Sequence, residues 1–108
     1  MDPKNKIVLS DDAKKTYLVA LIGKMLKILH LVGEESKTGF SPRQFIEGQL
    51  VELNSANELF DGKLVTIIVK LNSVLNTYQE VPFEAIKKQI FEIKKNIEYL
   101  LKQVDPEG

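Results

Sequence analysis

The last third of the sequence carries the pattern that most constrains the fold. From residue 83 onward, apolar side chains recur in strictly alternating steps of three and four, at Phe83, Ile86, Ile90, Ile93, Ile97, Leu100 and Val104. This spacing places them on one stripe of an α-helix, and such a stripe is stable only when other helices cover it. Pro82 precedes the stripe, where proline commonly opens a helix. The pattern predicts a helix over residues 82–104 that faces the centre of a bundle.

A first helix is predicted over residues 10–32. Ser10, Asp11 and Asp12 supply the side-chain oxygens and negative charge that suit the free amides of a first turn. Apolar residues then recur at helical spacing, at Leu18, Leu21, Met25, Ile28 and Val32, with Ile22, Leu26 and Leu29 widening the stripe. Gly33 is the predicted end of this helix, and residues 34–40 form a polar connection.

The second helix, predicted over residues 42–60, has the clearest start. Ser41 is the expected N-cap, Pro42 takes the first helical position, and Gln44 completes a capping box. Phe40 and Phe45 have the spacing of a hydrophobic staple. The helix is expected to end at Asp61-Gly62, where glycine adopts the left-handed conformation easily.

The third segment, residues 63–78, is open to two interpretations. Its β-branched run from Leu64 to Val69 suits a buried strand. However, apolar residues continue at steps of four and three over a length greater than that of a typical strand, at Leu64, Ile68, Leu71, Leu75 and Tyr78. We therefore predict a helix.

Together these patterns predict an all-α domain spanning residues 1–108, folded as a single four-helix bundle. Because the connections are short, the helices are expected to be mostly antiparallel. Ile7-Val8-Leu9 is expected to form a short extended lead-in before the first helix. Asn57 falls near the apolar stripe of the second helix, where a polar residue can fix the helix register.

Composition limits the cellular compartment that we expect and the kinds of chemical site that the chain can form. The 15 basic residues balance 15 acidic ones, and cysteine is absent, so disulfides and thiolate sites are excluded. No uninterrupted apolar run approaches the ~20 residues of a membrane span, and no secretory signal is apparent. We expect a cytoplasmic protein, and the preference for lysine over arginine favours a bacterial source.

No arrangement of side chains predicts catalysis or a cofactor. His30 is the only histidine and is expected on the polar side of the first helix, so a metal site within one chain lacks ligands. Neither Gly23-Lys24 nor Gly62-Lys63 has the earlier glycine that a phosphate-binding loop requires. We expect no metal, no cofactor and no enzymatic activity.

Nucleic-acid binding is not favoured either. The lysines of the last helix alternate with glutamates at steps of three and four, as on a solvated helix face, in the series Glu84, Lys88, Glu92, Lys95, Glu98 and Lys102. Arg43 is the sole arginine, whereas arginine makes the commonest specific base contacts. A DNA-associated regulator is kept as an alternative.

The main functional signal is apolar surface in excess of what a bundle needs. The first helix is apolar around most of its circumference, and the last helix carries large side chains outside its stripe. The candidate interface residues are Tyr17, Ile22, Leu26, Leu29, Phe91, Tyr99 and Leu101. If the first helix is central to the bundle, these side chains are simply core. Otherwise they indicate a protein-interaction module that binds another protein or a second copy as a homodimer, with an immunity- or antitoxin-type protein as a specific alternative.

Overall fold

The fold contains four α-helices, as the periodicity predicts. The computed structural model describes residues 9–38 and 41–104, with side chains described for 9–34 and 41–104. The helices are α1 (Asp11–Thr38), α2 (Arg43–Ala56), α3 (Val65–Thr77) and α4 (Phe83–Val104), and a short 3₁₀ segment, Asn57–Phe60, follows α2. No strand occurs in these two described ranges. The all-α four-helix prediction is confirmed, and the predicted lead-in falls on residues outside them apart from Leu9.

Neighbouring helices run antiparallel around the bundle. Along α1 and α2, Tyr17 stacks on Phe60 whereas Lys24 pairs with Glu52 at 3.1 Å, so the two helices run in opposite directions. The start of α1 shares a groove with the end of α4, whereas Gly33, much later in α1, faces Phe83 at the beginning of α4. The α3–α4 pair is also antiparallel, because Lys63 lies beside the end of α4 and Lys70 bonds to Glu92 nearer its middle. The helices therefore alternate in direction.

The core is one continuous cluster supplied by all four helices. The predicted stripe of α4 is buried except at its ends, with Ile86, Ile90, Ile93 and Ile97 at 0% exposure. Phe83, at the first residue of the helix, is the more exposed of the two ends, with a side chain that is 42% exposed. From α1, Leu18, Leu21, Met25 and Ile28 complete the cluster. Burying a side chain of this size stabilises the fold by roughly 1.5–3 kcal/mol relative to exposure.

The end of α1 differs from its prediction. The helix continues through Gly33 to Thr38, so most of the predicted 34–40 connection is helical. A glycine stops a helix only when it takes up a left-handed conformation, and the described glycine with positive φ is Gly62. Within α1, Gly33 instead permits close approach, because an added Cβ would lie 3.3 Å from Cε1 of Phe83.

The α2–α3 junction confirms the predicted turn and gives Asn57 a specific role. The turn has left-handed backbone at both Asp61 (φ 55°) and Gly62 (φ 78°). Asn57 Oδ1 accepts a hydrogen bond of 3.0 Å from the backbone N–H of Leu64, at the start of α3. Asn57 thus caps the following helix, which goes beyond the register role expected of it. The helical interpretation of this third segment is confirmed over Val65–Thr77.

A side-chain cap begins α1, whereas α2 begins at Arg43 with Pro42 at the N-cap and no side-chain cap hydrogen bond, so the predicted N-cap at Ser41 is one residue early. The Ser10 hydroxyl accepts a hydrogen bond from the N–H of Ala13, as predicted. The Ser41 hydroxyl accepts one from the N–H of Arg43, at 3.3 Å, rather than from Gln44 as the capping box requires. Phe40 lies outside the described residues, so the staple with Phe45 stays a prediction.

One helix is long and apolar enough, by length and composition alone, to cross a membrane. It is the stretch Asp11–Glu34 of α1, and 22% of its most apolar window is buried in the bundle. Lysines at positions 24 and 27 interrupt this stretch, so it contains no uninterrupted apolar run of comparable length. Both of these lysines lie against α2, where Lys24 pairs with Glu52 and Lys27 lies 5.1 Å from the ring centre of Phe45.

Candidate interaction surface

The outer side of the α1–α4 pair carries a concentration of exposed apolar side chains. On α1, Val19 and Leu26 are 60% and 41% exposed, and they precede Gly33 at intervals of seven residues on the same side of the helix. On α4, Phe83 lies against Gly33, and Phe91 follows two turns later with 39% exposure. Because the helices are antiparallel, Leu26 and Phe91 lie at nearly the same level. We call this surface, defined by Val19, Leu26, Phe83 and Phe91, the α1–α4 face.

Half-buried side chains join this face to the core. Ile22 and Leu29 of α1 and Leu101 of α4 are partly covered and pack against the core cluster. They form the floor between the two helices, while the four exposed side chains form the rim. These three side chains extend the apolar surface inward, whereas the groove beside Phe91 is otherwise lined by charged side chains of α4, at Glu84, Lys87, Lys88, Glu92 and Lys95.

Charged groups border the face on the α4 side. Lys94 Nζ bonds to Glu98 Oε2 at 2.9 Å, one turn apart on the helix. This hydrogen bond, helped by the charge of nearby lysines, lowers the pKa of the Glu98 carboxyl below its usual value. Glu98 is therefore an anion at neutral pH, and the border of the face presents fixed charges of both signs.

The predicted interface residues are divided among three surfaces. Leu26 and Phe91 lie on the α1–α4 face, with Ile22, Leu29 and Leu101 in its floor. Tyr17 faces α2 instead. Tyr99, at 63% exposure, lies in the groove between α3 and α4.

Tyr17 has a structural role inside the molecule. Its ring contacts Phe60 with ring centres 5.3 Å apart, which anchors α1 to the end of the 3₁₀ segment. Its hydroxyl is buried with no hydrogen-bond partner among the described residues. Burial, and secondarily the negative charge of Glu52, raises the pKa of Tyr17. These contacts hold the ring away from the α1–α4 face.

A partly enclosed space lies at the end of the bundle where α1 begins. A cavity of about 240 Å³ there is lined by charged and apolar side chains, at Asp11, Lys14, Phe60, Asp61, Lys63, Leu100, Gln103 and Val104. An adjoining groove of about 340 Å³ runs between α3 and α4 beside Tyr99. A binding pocket for a small molecule needs convergent polar groups in a mostly apolar cavity. Here the polar groups lie at the solvent-exposed margin.

No group of three or more metal-binding side chains occurs among the residues whose placement is described. His30 is exposed on α1, on the polar side where the sequence places it. The apolar face is therefore the most distinctive surface in the described part of the chain.

Two residues of the face are not predicted from the sequence. Val19 belongs to the wide apolar arc of α1, but nothing in the sequence distinguishes the covered part of that arc from the exposed part. Phe83 belongs to the strict stripe of α4, so periodicity assigns it to the core. The signal for Phe83 is its place at the first helical residue, where neighbouring helices no longer enclose the stripe.

Comparison of the chain with protein-family models, with curated proteins and with solved structures finds no match. The functional argument therefore depends on the geometry of the α1–α4 face.

Proposed function

We propose that this chain is a non-enzymatic protein-interaction module that binds its partner through the α1–α4 face. The observation that carries this proposal is the clustering of exposed apolar side chains. The described residues include eight large apolar side chains that are exposed, and four of them, Val19, Leu26, Phe83 and Phe91, lie on this one face. Contiguous apolar patches on soluble proteins commonly mark interaction sites, whereas isolated exposed apolar residues are ordinary.

The composition of the face indicates the kind of partner that fits it. A half-buried apolar floor with an aromatic side chain at its rim is typical of the core of a protein interface, and charged residues are typical of its border. The expected partner is a protein helix, or pair of helices, with a complementary apolar stripe. A cytoplasmic immunity- or antitoxin-type protein would be one biological form of such a module.

Site-specific photo-crosslinking tests the proposal even when the partner is unidentified. A benzophenone side chain replaces Leu26 on the face, and in a matched protein it replaces Asn72, which is exposed on α3. Each is irradiated as purified protein and in extract of the source cell. We expect an adduct of defined mass from position 26 only, which is lost when Phe91→Glu is added to the same chain.

Circular dichroism would first establish that Phe91→Glu melts like the parent protein, as its partial exposure predicts. Equal crosslinking from positions 26 and 72, or none from either, would contradict the proposal. A further experiment mixes the protein with vesicles of anionic and of neutral lipid, because α1 is long and apolar enough, by length and composition, to cross a membrane. Flotation of the protein with vesicles, together with lipid adducts at position 26, would replace a protein partner with a membrane.

A further inference from the structure

We propose that the occupant of the α1–α4 face is a second copy of this chain, arranged about a two-fold axis at the level of Ile93 and Gly23. This inference rests on the proposed function and specifies its partner. In the assembly, α4 lies antiparallel on α4 of the other copy, and α1 lies antiparallel on the other α1. Two observations, one on each helix, support the same axis.

The first observation is the charge pattern of α4. In an antiparallel pair centred on Ile93, residues equally distant from Ile93 lie opposite each other. Glu84 and Lys102 are each nine residues from it, and Lys88 and Glu98 are each five. Every charged residue from 83 to 103 therefore lies opposite an uncharged side chain or an opposite charge, and no like charges meet. Complementary charges of this kind select the partner and fix its register.

The same axis also places an aromatic residue opposite a cation. Phe91 and Lys95 are each two residues from Ile93, on opposite sides of it, and both are exposed. Each copy therefore offers a lysine to the ring of the other copy near the centre of the contact. A cation over an aromatic face is a favourable contact even at an exposed site.

The second observation concerns small residues at the matching level of α1. The contact between Gly33 and Phe83 fixes the relative level of the two antiparallel helices. Ten residues back along α1 is Gly23, and ten residues forward along α4 is Ile93. An added Cβ at Gly23 would have no neighbour within 4 Å in this chain, so the surface at the proposed axis is open. Two α1 helices can therefore approach closely there.

Leu26 and Ala20 are each three residues from Gly23, so the exposed leucine of one copy lies at the level of the exposed alanine of the other, about a third of a turn away around the helix. The chain has a formal net charge of +0, so no long-range repulsion opposes pairing. Asp12 and Glu34 are like charges in this register, eleven residues from Gly23 and about 16 Å along the axis, so their repulsion opposes pairing at the ends of the α1 contact.

A single engineered cysteine tests the axis directly, because the chain has none of its own. Gly23→Cys brings two thiols together only if the two Gly23 positions meet, since a disulfide requires Cα atoms roughly 4.4–6.8 Å apart. We expect mild oxidation to convert Gly23→Cys to a covalent dimer at low protein concentration, with Asn72→Cys as the matched control. Similar yields from both positions, or no dimer from Gly23→Cys, would overturn the proposed axis.

Sedimentation equilibrium of charge-reversal variants tests the proposed register of the two α4 helices. Glu84→Lys and Lys102→Glu should each weaken dimerisation about tenfold, because each single change creates two symmetric like-charge contacts. The double variant should return to within about threefold of the parent. Glu58→Lys, which changes net charge equally but lies off the face, is the control and should leave the dimerisation constant unchanged.

These measurements separate the two proposals. A monomer at every concentration that still crosslinks another protein from position 26 would overturn the self-association while leaving the interaction module intact. A dimer whose affinity is insensitive to both charge reversals would overturn the proposed register. A monomer without any specific adduct at position 26 would overturn both.

Discussion

The ring of Phe83, at the first residue of α4, lies against Gly33 of α1 so closely that a Cβ at position 33 would stand 3.3 Å from its Cε1 atom. An alanine at position 33 would therefore have to displace this ring, which glycine does not. Gly23 occupies the same helix with open space around it. Alanine substitution at Gly23 therefore measures the effect of backbone entropy alone, and substitution at Gly33 measures that effect together with the cost of displacing the ring.

We expect Gly23→Ala to raise the free energy of unfolding of the monomer by about 0.5–1 kcal/mol, since alanine loses less conformational entropy in a helix. Gly33→Ala gains the same entropy term but must displace the Phe83 ring, so its net gain should be smaller. Urea denaturation measures both. The deficit at Gly33 should disappear in a Phe83→Ala background, and equal gains for the two glycines in the parent protein would contradict this account.

The cap that Asn57 provides for α3 makes a second prediction. Asn57→Ala leaves the N–H of Leu64 without the 3.0 Å bond to Oδ1. Loss of a side-chain cap costs about 0.5–2 kcal/mol, so thermal unfolding should occur at lower temperature. Asn72→Ala, at an exposed position of α3, is the control and should change stability little. Aspartate at position 57 preserves the acceptor oxygen and should retain most of the parent stability.

Periodicity in the sequence predicts helices well, and it predicts their contacts less well. The isoleucines of α4 alternate so regularly that their burial follows from the sequence alone. The role of Asn57 does not, because its partner Leu64 is reached across a turn with two left-handed residues. Propensity also fails to anticipate that α1 continues past Gly33, because glycine ends a helix only where its backbone turns left-handed.

Gln49 leads to a prediction of stabilisation. It is the buried polar side chain of the core, 6% exposed, and its Oε1 atom has no hydrogen-bond partner. Methionine has nearly the same shape without the unpaired oxygen, so Gln49→Met should raise the free energy of unfolding by about 1 kcal/mol. The exposed Gln44 is the matched control, and Gln44→Met should lie within about 0.5 kcal/mol of the parent. A loss of stability in Gln49→Met would show that the amide has a partner in solution.

The raised pKa of Tyr17 predicts instability in alkali. Above pH 10.0, the ordinary tyrosine pKa, the unfolded chain releases a proton that the folded chain retains. The contribution of Tyr17 to stability is therefore complete below pH 10.0 and is lost as the pH rises through the folded-state pKa. Urea denaturation across this range should show a shallower decline for Tyr17→Phe than for the parent.

The control for this measurement is Tyr99→Phe, whose side chain is 63% exposed. Its alkaline decline should follow that of the parent protein. Because the Tyr17 hydroxyl has no hydrogen-bond partner, Tyr17→Phe should be at least as stable as the parent near neutral pH. Parallel curves for Tyr17→Phe and the parent in alkali would contradict the assignment.

The candidate surface was only partly predictable, for a physical reason. The apolar arc of α1 is too wide to be covered by one neighbouring helix, and this width is the reason that Leu26 is predicted as an interface residue. Which part of the arc remains uncovered depends on how α2 and α4 are placed around it. Tyr17 turns toward Phe60, whereas Val19, two residues later, lies uncovered on the opposite flank. Only the tertiary arrangement distinguishes these two side chains.

The beginning of α1 and the end of α4 meet in one groove, where Asp11 and Lys14 lie beside Gln103 and Val104. Because the start of α1 and the end of α4 are close together, the four helices could be inserted into a surface loop of a host protein without separating the two ends of that loop. The same proximity permits circular permutation, with the start of α1 joined to the end of α4 by a linker and new ends opened in the exposed turn around Gln79 and Glu80. The path of the four helices therefore ends close to where it begins.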